Sequence, residues 1–203
     1  SHSLSISVIA GEGTQMESDY DYTAAVFAAD IENPENLGES AGRKAVRRLN
    51  PKKVQTAEVP VVFDPRVSKS LVGHLSAAIN GSTVARGASF LKDKLGQRIF
   101  PQQVNITDDP LRKRGLKSRP FDGEGINTQR LNLIQDGHLK TWIMDLRSAR
   151  QLGLQTTGHA SRGTSSPPSP SSSNLYLEPG EVNPQELIKD IKQGLYVNEL
   201  IGF

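Results

Sequence analysis

Residues 61–80 read VVFDPRVSKSLVGHLSAAIN, a short apolar run that passes without a loop into a helix-forming segment, and the rest of the chain has to be placed around that junction. Asp64 suits the N-cap, because its carboxylate can accept from the free N–H groups of a first helical turn. Pro65 suits the next position, where a missing N–H costs nothing. At about 100° per residue, Val67, Leu71, Leu75, Ala78 and Ile79 share one face, with Lys69, Gly73 and Ser76 opposite. The pattern predicts a buried strand at Val61 and an amphipathic helix that runs to Asn80.

His74 falls among the apolar residues of this helix, where a metal-binding or general-base role competes with that of a satisfied core or interface histidine. A ligand-bearing helix needs a second donor four residues away. Those positions are Ser70 and Ala78, which favours the structural role.

The VVFDP strand and its helix are followed by GSTVARGASFLKDKLGQRIF (81–100), FDGEG (121–125), LIQDGHLKTWIMDLRSARQLG (133–153), TGHASRG (157–163) and NLYLEPG (174–180). Together these segments resemble the TldD/PmbA family of bacterial proteins, on its PmbA (TldE) side, over nearly the whole chain. The resemblance implies that TldD-type members carry a His-Glu-x-x-x-His zinc motif in this same helix and cleave peptides, while PmbA-type members are their partner subunits. Aligned on Gly81, the motif positions hold Val72, Gly73 and Ala77, and His74 is out of register. Zinc takes nitrogen, sulfur or carboxylate donors, which valine, glycine and alanine lack. The expectation is a chain without catalytic, cofactor or metal residues of its own, with zinc held by a TldD-like partner. The resemblance further implies an unfolded peptide as substrate of the pair, cytoplasmic work in peptide-antibiotic maturation and antitoxin degradation, and an indirect effect on DNA gyrase.

With 203 residues, 35% hydrophobic and 23% charged, the chain can bury a core and fits one to two domains. It lacks the run of about eighteen apolar residues that a membrane helix requires. Its start also lacks the basic-then-apolar pattern of a signal peptide. There are no cysteines, so disulfide and thiol chemistry are excluded, and a net charge of +2 gives direct nucleic-acid binding no support. The first residue is not methionine and the last follows an apolar stretch, so the sequence reads as an excerpt of a longer protein.

Leu4, Ile6 and Val8 alternate with serines, and Tyr20, Tyr22, Ala24 and Val26 alternate in turn, which predicts an antiparallel pair over residues 4–29 with the tyrosines packed on the sheet. Asn33 and Pro34 open a helix to Leu49 whose basic end, continued by Lys52 and Lys53, reads as a solvated terminus. The polar stretch 50–58 reads as a hinge, dividing the chain into 1–58, the end of one α+β domain, and 59–203, the start of a second. Short strands are expected at 96–100 and 104–107, with Asp108, Asp109 and Pro110 forming a turn. The run Arg112, Lys113, Arg114, Lys117 and Arg119 reads as a solvated basic loop. Asp136–Gly137 is the preferred pair for a type I′ hairpin, which would put Ile134 opposite Leu139 and Leu131 opposite Trp142, with His138 exposed. A helical turn at 147–151 precedes a serine-, glycine- and proline-rich stretch, 157–174, that reads as a surface excursion or as a lid beside a peptide groove. His159 and Arg162 are its candidate peptide or partner contacts, with His74 as a third. A strand at 174–177, a helix from Asn183 and a strand at 195–203 complete an α+β pattern of hairpins with interspersed helices.

Three functions compete on this reading. The first is the non-catalytic subunit of a zinc peptidase. The second is an independent metal-free peptidase using His159 or Ser161, although no Gly-x-Ser-x-Gly elbow occurs. The third is a DNA- or gyrase-binding protein acting through 43–53 and 112–119. Self-association of the isolated chain is left open.

Overall fold

The computed structural model describes residues 1–200. The chain divides into two units, Ser1–Ala57 with Arg114–Leu116, and the remainder from Glu58 onward. The architecture is α+β, built from small and mainly antiparallel sheets with helices between them.

In the first unit, β1 (His2–Ala10) and β2 (Glu17–Ala25) pair antiparallel from His2↔Ala25 to Ala10↔Glu17. Their alternation places Leu4, Ile6 and Val8 half-buried beneath α1 (Pro34–Arg47), which turns Leu37, Ala41 and Ala45 toward the sheet. Asn33 caps α1 by accepting from the Glu35 N–H at 2.8 Å, as its sequence position requires.

Two expectations change in this unit. The inward side of β2 carries Asp19 and Asp21, while Tyr20 and Tyr22 stack on each other on the outer face, ring centroids 6.4 Å apart and both rings more than 40% exposed. The cause is the basic end of α1, which is not merely solvated. Lys44 pairs with Asp21, and the Arg48 guanidinium lies 3.6 Å from Asp19 and 3.8 Å from Glu17. Buried carboxylates need such partners, so the cations decide which side of β2 faces the helix.

The second unit opens with β3 (Val61–Phe63), which leads straight into α2 (Pro65–Ala78) and then α3 (Gly81–Ala85). Val67, Leu75, Ala78 and Ile79 are buried as the periodicity demands, whereas Leu71 is 47% exposed. After α3 come β4 (Ile106–Asp108), β5 (Leu131–Gln135), β6 (His138–Leu139) and α4 (Leu146–Leu152). Next are β7 (Ala160–Ser161), β8 (Ser169–Pro170), β9 (Leu175–Leu177), α5 (Pro184–Lys189) and β10 (Leu195–Val197). Residues 201–203, where the last expected strand was to end, lie outside the described residues.

The central sheet has the order β6-β5-β4-β9, and β3 pairs with β10 in parallel. Leu75 of α2 and Ile79 just past its end pack with Ile106, Leu133, Ile134 and Leu139 of the sheet and with Trp142, Ile143 and Met144 beyond it. The β5–β6 turn has Asp136 at φ 50° and Gly137 at φ 76°, the left-handed pair that a type I′ turn uses, and Ile134 does face Leu139. Trp142 lies outside the ladder, because β6 ends at Leu139 and the chain turns away to reach α4. His138 is half-buried, its Nδ1 lying 3.0 Å from the Asp136 carbonyl. Residues 96–100 form a single bridge, Arg98↔His138, in place of a strand.

Candidate functional site

The site is built on α2. Asp64 accepts from the Arg66 N–H at 2.9 Å and fixes the start of the helix, which sets the rotation of every later side chain. Val72 is half-buried, while Gly73, His74 and Ala77 lie on the exposed side. His74 is about 100° from Leu75 around the axis, at the margin of the buried stripe, and so is not a core residue.

Alongside α2 runs a groove of about 570 Å³, with Lys69, Val72 and Gly73 on one wall and the segment from Leu175 to Gly180 on the other. A Cβ added at Gly73 would meet nothing within 4 Å, so the glycine leaves the groove open there. The opposite wall contains β9, the terminal strand of its sheet. β9 pairs with β4 through Ile106↔Leu177, Thr107↔Tyr176 and Asp108↔Leu175, and has no strand on its other side among the described residues. An edge strand of this kind offers backbone N–H and C=O groups to an extended chain. Because Gly73 is a helix-interior residue with free space around it, Gly73→Ala is expected to stabilise the protein by about 0.5–1 kcal/mol, read as a rise in its thermal midpoint.

Behind this wall a polar network fixes the groove. Asp108 is fully buried and its Oδ2 accepts from His159 Nε2 at 3.0 Å and from Ser173 Oγ at 2.5 Å. Its Oδ1 accepts from the Ser173 N–H at 2.8 Å. Burial alone would raise the Asp108 pKa, but the hydrogen bonds from His159 and Ser173, with the attraction of the imidazole, outweigh it and hold the carboxyl below its ordinary value. Asp122 does similar work next door, accepting from the N–H groups of Glu124, Ile126 and Ala160 at 2.9, 3.0 and 2.9 Å. The serine- and proline-rich stretch is therefore built into the domain, with His159, Ala160 and Ser173 buried.

The candidate residues are thus separated. His159 is 1% exposed; its Nε2 is bonded to Asp108, and its Nδ1 lies 2.8 Å from the Thr157 carbonyl. With both ring nitrogens engaged, His159 has none to offer a substrate, and it reaches the groove only through Asp108 and Ser173. Arg162 is exposed just past β7 and Ser161 is half-buried at its end, and neither lines the groove. The network itself was not legible beforehand, since Asp108 read as a turn former.

Zinc does not fit the helix. Val72, Gly73 and Ala77 present no donor atom, and among the described residues no three His, Cys, Asp or Glu side chains stand together as a metal set. No helix among the described residues is long and apolar enough to cross a membrane.

Comparison with known proteins matches this fold. Residues 1–49 fit the PmbA/TldA metallopeptidase central domain, and residues 56–203 fit the PmbA/TldA metallopeptidase C-terminal domain. The chain is 39% identical over 201 residues to metalloprotease PmbA of Escherichia coli O157:H7, covering 99% of this chain and 43% of that protein. It is 40% identical over 159 residues to a PmbA homologue of Haemophilus influenzae, covering 78% and 35%. A crystal structure from Thermotoga maritima, described as that of a modulator of DNA gyrase, superposes with a TM-score of 0.88 at 30% identity over 98% of this chain and 45% of that one. TldE from Thermococcus kodakarensis shares the fold, with a TM-score of 0.86 at 23% identity over 99% and 46%. The chain thus spans less than half the length of the relatives it matches, and it belongs to the PmbA/TldA metallopeptidase family.

Proposed function

We propose that this chain is the groove-bearing part of a PmbA/TldE-type subunit that performs no peptide cleavage itself, pairs with a zinc-bearing TldD-type subunit in the cytoplasm and holds an unfolded peptide for that partner to cut. One observation carries the reading. The α2 positions that would supply zinc donors hold Val72, Gly73 and Ala77, yet the helix still borders an open groove beside the free edge of β9. A helix kept for packing alone gains nothing from that opening. An extended peptide gains backbone hydrogen bonds along β9 and apolar contact with Val72, Leu175 and Leu177.

Maturation of a peptide antibiotic, degradation of an antitoxin and an indirect effect on gyrase are downstream activities of such a pair. The test uses the full-length protein, with and without a TldD-type partner. The purified subunit is expected to hold no stoichiometric zinc by elemental analysis and to leave an unfolded peptide intact. Adding the partner is expected to restore cleavage. Stoichiometric metal in the subunit, or cleavage by it alone after contaminants are removed, would overturn the proposal.

A further inference from the structure

Phe90 is 82% exposed, yet the turn that carries it is fastened on both sides. Its neighbours Ser89 and Leu91 are buried, Leu91 as part of the hydrophobic core. The Ser89 hydroxyl donates to the Ala78 carbonyl at 2.6 Å and accepts from the Leu91 N–H at 3.0 Å. The Lys92 N–H donates to the Ser89 carbonyl at 3.2 Å, and the Lys94 N–H to that of Leu91 at 2.8 Å. An aromatic ring left in water forfeits the gain of burial. Presented on backbone that is already ordered, it can dock with little further loss of conformational entropy.

The turn around the ring is basic. Arg86, Lys92 and Lys94 are exposed and lie within four residues of Phe90, against the single carboxylate of Asp93. None of these three cations is in an ion pair among the described residues, and Lys94 Nζ donates to a neutral group, Gln97 Oε1, at 3.3 Å. A second copy docked through the same patch would set these cations against their like. A lipid surface would accept the charge, but one ring is a smaller apolar anchor than a myristoyl chain, which alone holds a protein only marginally. An apolar pocket rimmed by carboxylates on another protein suits both the ring and its collar. Position then says which protein. The Ser89 bond ties the turn to the last residue of α2, and from Ala78 back to Gly73 on the groove wall is about 7.5 Å along the helix. A subunit that cuts a peptide held in that groove has to stand beside it.

We infer that Phe90 and its collar of cations form a docking knob for the zinc-bearing subunit, the ring entering an apolar pocket on that subunit whose rim is acidic. The inference rests on the pairing proposed above and adds the surface through which it is made. The ring supplies the affinity, and the cations steer the approach and reject a basic face.

The test measures association of the full-length protein with a TldD-type subunit by biolayer interferometry. Phe90→Ala is expected to weaken pairing by roughly tenfold or more, chiefly through faster dissociation, and Phe90→Leu to weaken it less. The double variant Lys92→Glu, Lys94→Glu is expected to slow association and to remove most of its dependence on ionic strength. Each variant should keep the wild-type thermal midpoint, because the altered side chains are exposed, and the wild-type affinity for an unfolded peptide when the partner is absent. A fallen midpoint in both Phe90 variants would make the ring structural and overturn its role as a knob. Loss of peptide affinity in Phe90→Ala would overturn it by placing the ring in the groove. Pairing of Phe90→Ala at wild-type strength would overturn this surface and leave the pairing itself standing. Binding of the wild type to phosphatidylserine vesicles that Phe90→Ala abolishes, with pairing intact, would overturn the protein occupant in favour of a membrane. Failure of the wild type to pair at all would overturn the pairing proposal and this inference with it.

Discussion

Asp108→Ala is expected to cost the protein about 3–5 kcal/mol of stability, because it strips the buried partner from His159 and from both the N–H and the Oγ–H of Ser173. The loss is local in origin but reaches the groove, since Ser173 lines it and stands two residues before β9. Chemical denaturation measures the stability term. Peptide affinity measured below the unfolding transition separates it from the groove effect, and an unchanged midpoint would show that the network is not structural. The same carboxyl gives a pH dependence with a definite sign. Its folded-state pKa lies below the ordinary 3.8, so its contribution is complete above about pH 4 and drains away as the pH falls through the folded value. Thermal midpoints taken from neutral pH downward should therefore drop more steeply in the wild type than in Asp108→Asn. Parallel profiles would assign the acid sensitivity elsewhere.

Gly137→Ala should be nearly as damaging, at about 2–5 kcal/mol, for a steric reason. Gly137 has φ 76°, and a Cβ there would lie 2.2 Å from the Phe100 carbonyl oxygen and 2.7 Å from that of Pro101. These are backbone atoms, held in place because the Gly137 N–H donates to the Val104 carbonyl at 3.0 Å and the Ile99 and Phe100 N–H groups donate to the Gly137 carbonyl at 2.9 and 3.1 Å. The segment cannot retreat without breaking its own bonds. Asp136→Ala, at φ 50° in the same turn but without that contact, serves as the comparison. It should lose about 1 kcal/mol, for the left-handed backbone alone. Equal losses in the two variants would show that the turn conformation, and not the packed neighbour, sets the cost.

These residues also mark where sequence reasoning holds and where it stops. Asn33, Asp64 and Asn183 each precede a proline and each caps a helix, because capping depends on neighbours one to three residues away. Asp136–Gly137 is legible for the same reason. The side of β2 that faces α1 is not, since it depends on Lys44 and Arg48 meeting Asp21 and Asp19 across the sheet. Composition misplaces His159 and Ser173 altogether. A stretch of serine, glycine and proline looks solvated until a buried carboxylate from β4 uses its N–H and hydroxyl groups, and pattern reading has no term for a partner 65 residues away. The groove itself was legible only as a deletion of donors in α2. Its opposite wall depends on β9 being the last strand of its sheet.

The parallel pairing of β3 with β10 bears on how the protein is made. The Leu195 N–H donates to the Pro60 carbonyl at 2.9 Å, the Asp64 N–H to that of Val197 at 2.9 Å, and the Tyr196 hydroxyl lies 3.0 Å from Asp64 Oδ2, across 132 positions of sequence. The capping residue of α2 is thus clasped by a strand that leaves the ribosome long after the helix does. A nascent chain halted before Leu195 would carry that helix with an unlatched start, and proteases in the cell would find the junction at residues 58–64 open until synthesis had passed Val197.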